Sequence, residues 1–140
     1  MTAETFDPNQ DAQPPSLSDA DVGELLDAAS RVEVDEDLGA QTLGLEEHTR
    51  QRLGPRVRAA AFDWAGLATS EPPQRIAALI KLLVLAESRF PAWEAGAQSA
   101  VVPLARELRS QDRYPAELTV WIRAHSTNRF LPYGSLLDRL

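Results

Sequence analysis

The segment PQRIAALIKLLVLAESR, residues 73–89, restricts the fold more than any other part of the sequence. It begins with a proline, which suits the first turn of a helix, and it carries apolar residues at helical spacing at positions 76, 79, 80, 83 and 84. Leu82 and Leu85 add apolar groups to the other side, so little of this helix can face water. The pattern predicts a helix at the centre of a helical core.

The first predicted helix has a well-defined start. Ser18 is expected to be its N-cap, and Asp21 stands at the reciprocal position of a capping box. The helix then shows one apolar stripe, formed by Val22, Leu25, Leu26, Ala29 and Val32.

Four further helices are predicted from apolar spacing, proline and glycine. The first is expected at residues 42–53, and the second runs from residue 55 to a break near residue 70. The third begins near residue 99, and the fourth runs from residue 115 to residues 124–126. Few alternating β-branched runs occur, so no strands are predicted. The sequence therefore predicts an all-α protein, a compact bundle of about six helices.

A short HEAT-like array of helical hairpins is the alternative fold. The helices opened by Pro73 and Pro115 share apolar residues three, six and seven positions after the proline and a basic residue eight positions after it, at an offset of 42. Two amphipathic helices opened by proline would share this pattern without any repeat, and the preceding helices do not match.

Residues 1–16 are predicted to form a disordered acidic tail, and residues 17–140 a single helical domain. The tail contains three prolines and few apolar groups, so it cannot bury enough surface to offset the entropy of ordering. Charge is also unevenly distributed. Residues 1–50 hold 13 acidic and 2 basic residues, a net charge of −11, whereas residues 51–140 hold 8 acidic and 12 basic residues, a net charge of +4.

Composition excludes several classes of function. The chain has no cysteine, which rules out disulfides, thiolate nucleophiles and cysteine-ligated metal sites. The N-terminus lacks the features of a signal peptide, and the longest apolar run is too short to cross a bilayer, so we expect a cytoplasmic protein without a membrane partner. Lys81 is the only lysine among 14 basic residues, a bias that we attribute to a GC-rich bacterial genome.

No metal ion or cofactor is predicted. Asp35, Asp37 and Glu46 have the spacing of the first, third and twelfth positions of an EF-hand loop. Gly39 and Ala40 occupy the fifth and sixth positions, however, which leaves too few oxygen ligands. This segment is interpreted as a hydrated acidic linker.

A hydrolase is the third-ranked functional hypothesis. It would use His125 and Ser126 as base and nucleophile, with Asp112 or Asp138 orienting the base. Adjacent residues at a helix end point in different directions, and the motifs that usually position a catalytic serine or a zinc ion are missing.

Nucleic-acid binding is the second-ranked hypothesis. The C-terminal half is rich in arginine interspersed with aromatic residues, a combination that can hold phosphates and stack bases, and the acidic N-terminal segment would screen it. The sequence pI of about 4.8 argues against ordinary DNA binding.

The leading hypothesis is a non-enzymatic adaptor or regulatory protein that binds another protein. The sequence is also compatible with a homo-oligomer. Two breaks between helices, FPAWEAG and NRFLPYG, place aromatic residues beside proline and glycine. Aromatic residues and arginine dominate the energetics of interfaces, so the predicted contact residues are Trp93, Arg123, Arg129 and Tyr133. The alternative is that these aromatics fold inward and close the ends of the core.

Overall fold

Six α-helices run through the part of the chain that the computed structural model describes, which comprises residues 17–34, 43, 45–58, 62–126, 128 and 131. The helices are α1 (Asp19–Val34), α2 (Glu47–Leu53), α3 (Trp64–Ser70), α4 (Pro73–Arg89), α5 (Val101–Ser110) and α6 (Ala116–His125). These residues contain no strand; one isolated antiparallel bridge joins Arg58 to Ser99. The predicted all-α class and the number of helices are confirmed.

Helix α4 lies at the centre of the bundle, as its sequence predicts. It packs against α1, α5 and α6. Nine of its residues are buried, namely Ile76, Ala78, Leu79, Ile80, Leu82, Leu83, Val84, Leu85 and Ala86. In a linear array each repeat would contact only its neighbours. The packing of α1 on α4, across two intervening helices, is that of a bundle.

The start of α1 is the capping box that the sequence indicates. The Ser18 N–H donates to Asp21 Oδ2 and the Asp21 N–H donates to Ser18 Oγ, each at 3.1 Å. Two backbone N–H groups that have no partner within the helix are thereby satisfied.

Asp21 also joins α1 to α2. Its carboxylate accepts hydrogen bonds from Arg52 and, at 3.2 Å, from Arg56 Nη1, while Arg52 also reaches Glu24. Burial alone would raise the pKa of the Asp21 carboxyl, but the bonds from Ser18 and Arg52 outweigh burial and lower it. The ionised carboxylate therefore stabilises the folded state.

Replacing Asp21 by alanine should cost about 1–3 kcal/mol of unfolding free energy, because it removes the reciprocal cap and the partner of two arginines. Since the folded-state pKa is lowered, this stabilisation is present above the ordinary value of 3.8 and is lost as pH falls through the folded-state value. Urea unfolding at pH 7 and at pH 2.5 measures both effects. Asp19→Ala is the matched control, because Asp19 lies exposed in the same helical turn; an equal loss in both variants would contradict the assignment.

The prediction of a helix from Pro55 is wrong. Pro55 is the second residue of a 3₁₀ turn, Gly54–Arg56, and α3 begins only at Trp64. The Asp63 carboxylate accepts a hydrogen bond from the Gly66 N–H at 3.0 Å and so caps the helix at this later position. Val57, Trp64 and Ala68, whose spacing in the sequence suits one helical face, are nevertheless buried.

Helix α2 is also shorter than predicted. It begins at Glu47 rather than near residue 42, and it ends at Leu53 before Gly54 and Pro55, where the sequence indicates a stop. Thr42, Asp35 and Asp37 lie outside the described residues, as does the predicted disordered tail, residues 1–16.

None of the described helices has the length and apolar character needed to cross a membrane. Their buried side chains form one cluster to which all six helices contribute. Leu131, which follows the last helix, is fully buried in the same cluster. Leu131 therefore packs inward, whereas the neighbouring Phe130 lies outside the described residues.

Candidate functional site: a polar cleft at the ends of α4 and α6

A cleft lies where α4 and α6 both end. Its volume is about 920 Å³. Three chain segments line it: the last turn of α4, the loop that follows α4, and the end of α6. The lining residues are Glu87, Ser88, Arg89, Pro91, Glu94, Ala95, Gly96, Arg123, Ala124, His125, Ser126 and Asn128.

Proline and glycine determine the path of the loop that forms one wall of the cleft. Helix α4 stops at Arg89 because Phe90 is extended, the conformation that a following proline favours. Pro91 then opens a 3₁₀ turn, Pro91–Trp93. Gly96 has a φ of +55°, which a residue with a side chain rarely adopts, and it begins the next turn, Gly96–Gln98.

Two hydrogen bonds hold the end of α6 against the other walls. Ser88 Oγ lies 3.1 Å from the Val84 carbonyl oxygen and 3.2 Å from that of His125, so its proton is shared between α4 and α6. The Asn128 side-chain amide donates to the Gly96 carbonyl oxygen at 3.0 Å. The cleft is therefore a fixed junction of three segments.

Glu87 is the unusual group in this cleft. Its Oε2 accepts a hydrogen bond of 2.6 Å from the fully buried Ser99 hydroxyl. Its Oε1 is buried and has no hydrogen-bond partner among the described residues. Burial raises the pKa of the Glu87 carboxyl to about 7, although the Ser99 hydrogen bond and the charge of Arg58 act in the opposite direction. Near neutral pH this carboxyl is present in both protonation states.

The pKa of Glu87 predicts a pH-dependent stability. Because the pKa is raised in the folded state, the contribution of Glu87 to stability is greatest below the ordinary value of 4.5 and is lost as pH rises through about 7. Glu87→Gln, which cannot ionise, should be more stable than the natural protein at pH 8 by about 1–3 kcal/mol. The difference should shrink steadily below pH 7 and be smallest below pH 4.5. Urea unfolding between pH 4 and pH 8 measures it.

Glu94→Gln is the control for this series, because Glu94 is exposed and lines the same cleft. Its stability should follow that of the natural protein at every pH. A Glu87→Gln variant with unchanged pH dependence would show that Glu87 is not the titrating group.

His125 and Ser126, the two residues of the hydrolase hypothesis, both bond to nearby backbone groups. His125 Nδ1 lies 2.8 Å from the Trp121 carbonyl oxygen and therefore carries the proton of that bond, while the ring stacks on Trp121 at 4.0 Å. The Ser126 hydroxyl accepts the Asn128 N–H at 3.0 Å. Asp112 lies outside the cleft lining, and Asp138 lies outside the described residues. The arrangement is that of a helix terminus.

The four predicted contact residues do not come together at one described surface. Trp93 is 1% exposed and its indole N–H donates to the Arg50 carbonyl oxygen at 2.9 Å, so it belongs to the core and cannot meet a partner in this structure. Trp93 therefore follows the alternative interpretation, in which the aromatic residues fold inward. Arg123 is exposed and lines the cleft. Arg129 and Tyr133 lie outside the described residues.

Two cation–π contacts involve an arginine or an aromatic residue of the nucleic-acid hypothesis. The Arg109 guanidinium lies 4.3 Å from the centre of the Tyr114 ring, and Lys81 Nζ lies 5.4 Å from that of Trp121. Arg109 and Trp121, which that hypothesis would assign to phosphates and bases, therefore have contacts within the protein.

Sequence reasoning missed Glu87, although a signal for it exists. Glu87 follows Leu83 by four residues and Val84 by three, so it continues the apolar face of α4. An acidic residue on the buried face of a central helix predicts a perturbed carboxyl group. Ser99 has no comparable signal, because only the fold brings it beside Glu87.

The chain matches no known protein-family model, no curated protein and no solved structure.

Proposed function

We propose that the protein is a non-enzymatic, cytoplasmic helical adaptor or regulator that binds another protein through the cleft at the ends of α4 and α6. The observation that carries the proposal is the cleft itself. It joins charged and hydrogen-bonding groups from three segments in a volume of about 920 Å³, which is large enough for several residues of a partner polypeptide. Its fixed walls would reduce the entropy lost on binding.

Arg123 is the predicted contact residue that lines this cleft. It is exposed in the last turn of α6, where a long cationic side chain can extend over the opening. Arginine is enriched among residues that contribute strongly to binding, since its planar group donates several hydrogen bonds.

Partner capture with purified variants tests the proposal. The tagged protein is incubated with lysate, and bound proteins are compared between the natural protein, Arg123→Ala and Arg106→Ala. Arg106 is the matched control, because it is exposed on α5 and does not line the cleft. We expect Arg123→Ala to reduce capture at least fivefold and Arg106→Ala to leave it unchanged. Equal capture by all three would contradict the use of this cleft.

Nucleic-acid association is the second candidate, and the exposure of Arg106, Arg113 and Arg123 favours it. It predicts that nuclease treatment removes the captured material and that capture falls steeply between 50 and 200 mM salt. Capture that survives nuclease and changes little with salt supports the adaptor instead.

A further inference from the structure

We propose that Glu87 and Ser99 form a pH-sensitive switch at the junction of α4 and α5. While the Glu87 carboxyl is neutral it stays bonded to Ser99, and when it loses its proton the carboxylate turns away from Ser99 into the water of the cleft. The structure, in which the two groups are bonded, is the closed form of this switch. The inference does not depend on the proposed function, because it concerns the chain alone.

The first support is the position of the Glu87 carboxyl at the border between core and cleft. Oε2 accepts the Ser99 hydroxyl at 2.6 Å, whereas Oε1 is buried and has no partner among the described residues. A buried oxygen without a hydrogen bond is costly, and the cost is greater for the ionised form. Glu87 as a whole is only partly buried and lines the cleft, so rotation about its own side-chain bonds brings the carboxylate to water.

The second support is that Ser99 holds several segments together. Ser99 is fully buried, and its hydroxyl accepts the Val101 N–H at 3.1 Å in the first turn of α5. Its backbone forms the isolated bridge with Arg58, and its N–H donates to the Gly96 carbonyl oxygen at 3.2 Å. Departure of the Glu87 carboxyl leaves the buried hydroxyl without its acceptor. The change is therefore transmitted to the start of α5 and to the turn that begins at Gly96, which lines the cleft.

Ionisation is sufficient to reverse the preference of Glu87 for the closed form. Burial raises the pKa of the carboxyl to about 7 in that form, whereas the ordinary value is 4.5. Loss of the proton therefore shifts the ratio of closed to open positions by about 300-fold towards the open one. One hydrogen bond between neutral groups favours the closed form by only roughly tenfold. The closed form should thus predominate for the neutral carboxyl and the open form for the carboxylate.

The charged groups near Glu87 favour the open position of the carboxylate. In the closed form, the charge of Arg58, on the segment before α3, acts on the carboxyl. The first turn of α5 contains no charged residue. The cleft lining contains more basic than acidic side chains besides Glu87, with Arg89, Arg123 and His125 against Glu94. A carboxylate that turns outward therefore approaches compensating charge.

Nuclear magnetic resonance of the full chain labelled with ¹³C and ¹⁵N tests the switch. The ¹³Cδ signal of Glu87 reports its protonation, and the nuclear Overhauser effect between the Glu87 γ-protons and the Ser99 β-protons reports its position. We expect the carboxyl to titrate with a midpoint above 4.5 and no higher than about 7. The Overhauser effect should weaken at least about threefold between pH 4.5 and pH 8.5. The amide signals of Gly96 and Val101 should follow the same midpoint.

Variants at the cleft assign the transition to Glu87. Glu87→Gln keeps the length of the side chain and cannot ionise, so its Overhauser effect to Ser99 and the two amide signals should not follow this transition. Glu94→Gln and His125→Asn remove the other groups of the cleft that change charge in this range, and both should keep the transition. Circular dichroism confirms that the variants are folded.

A Glu87 carboxyl that titrates while its Overhauser effect to Ser99 stays constant would show ionisation in place and overturn the inference. A midpoint at or below 4.5, or the same transition in Glu87→Gln, would overturn it as well. Because the natural chain reports both the protonation and the position of Glu87, the test remains decisive even where a variant fails to fold.

Discussion

Leu83→Ala should lower the free energy of unfolding by about 2–5 kcal/mol, because it removes buried methyl groups and leaves a cavity in the central helix. Leu83 is fully buried in α4, which packs against three other helices. The melting temperature should fall by roughly 8 °C or more, since a domain of this size shifts by several degrees for each kcal/mol. Urea unfolding and a thermal scan measure the two quantities.

Val120→Ala is the matched control for the core substitution. Val120 is 68% exposed on α6, so the loss of its methyl groups should change stability by less than about 0.5 kcal/mol. If Leu83→Ala cost less than about 1 kcal/mol, the central position of α4 would be wrong.

Trp93→Ala should cost about 3–5 kcal/mol, and this result would decide between the two interpretations of the FPAWEAG segment. Trp93 packs so closely on the 3₁₀ turn after α2 that a Cβ atom added at Gly54 would lie 3.0 Å from Trp93 Cδ1. The substitution would leave a large cavity and remove the indole hydrogen bond to the Arg50 carbonyl oxygen, which would keep only its bond from the Gly54 N–H. Equilibrium unfolding provides the measurement.

Trp93→Phe separates packing from hydrogen bonding, since it keeps most of the aromatic volume and removes the indole N–H. It should cost less than the alanine variant, about 1–3 kcal/mol. A stable Trp93→Ala protein that has lost its partner would instead restore Trp93 as a contact residue and refute its assignment to the core.

Local signals predicted much of the fold. The capping box at Ser18 and Asp21 and the apolar faces of α1, α4 and α5 are sequence patterns that depend on residues three or four positions apart. The start of α3 could not be predicted in this way, because Val57 has helical spacing to Trp64 and Ala68 although it lies outside the helix that contains them. Asp63 caps the helix within that pattern.

The candidate site was less accessible to sequence reasoning. The cleft joins residues 87–96 to residues 123–128, and their proximity depends on how α4 and α6 pack. Arg123 was identified from its residue type, and the structure places it at the cleft. The aromatic residue Trp93 was assigned to the surface by the same reasoning, but its neighbours turn it inward. Composition near a helix break indicates which groups are present and does not indicate which way they face.

The double role of Asp21 makes the N-terminus of α1 depend on residues far along the chain. The carboxylate that completes the local cap is also the partner of Arg52 and Arg56, which are 31 and 35 residues away. Opening of the first turn of α1 must therefore break its contacts with the second helical segment as well, and the two events form one cooperative unit. Amide hydrogen exchange in the first turn of α1 would follow this shared opening rather than the rapid fraying of an independent helix end.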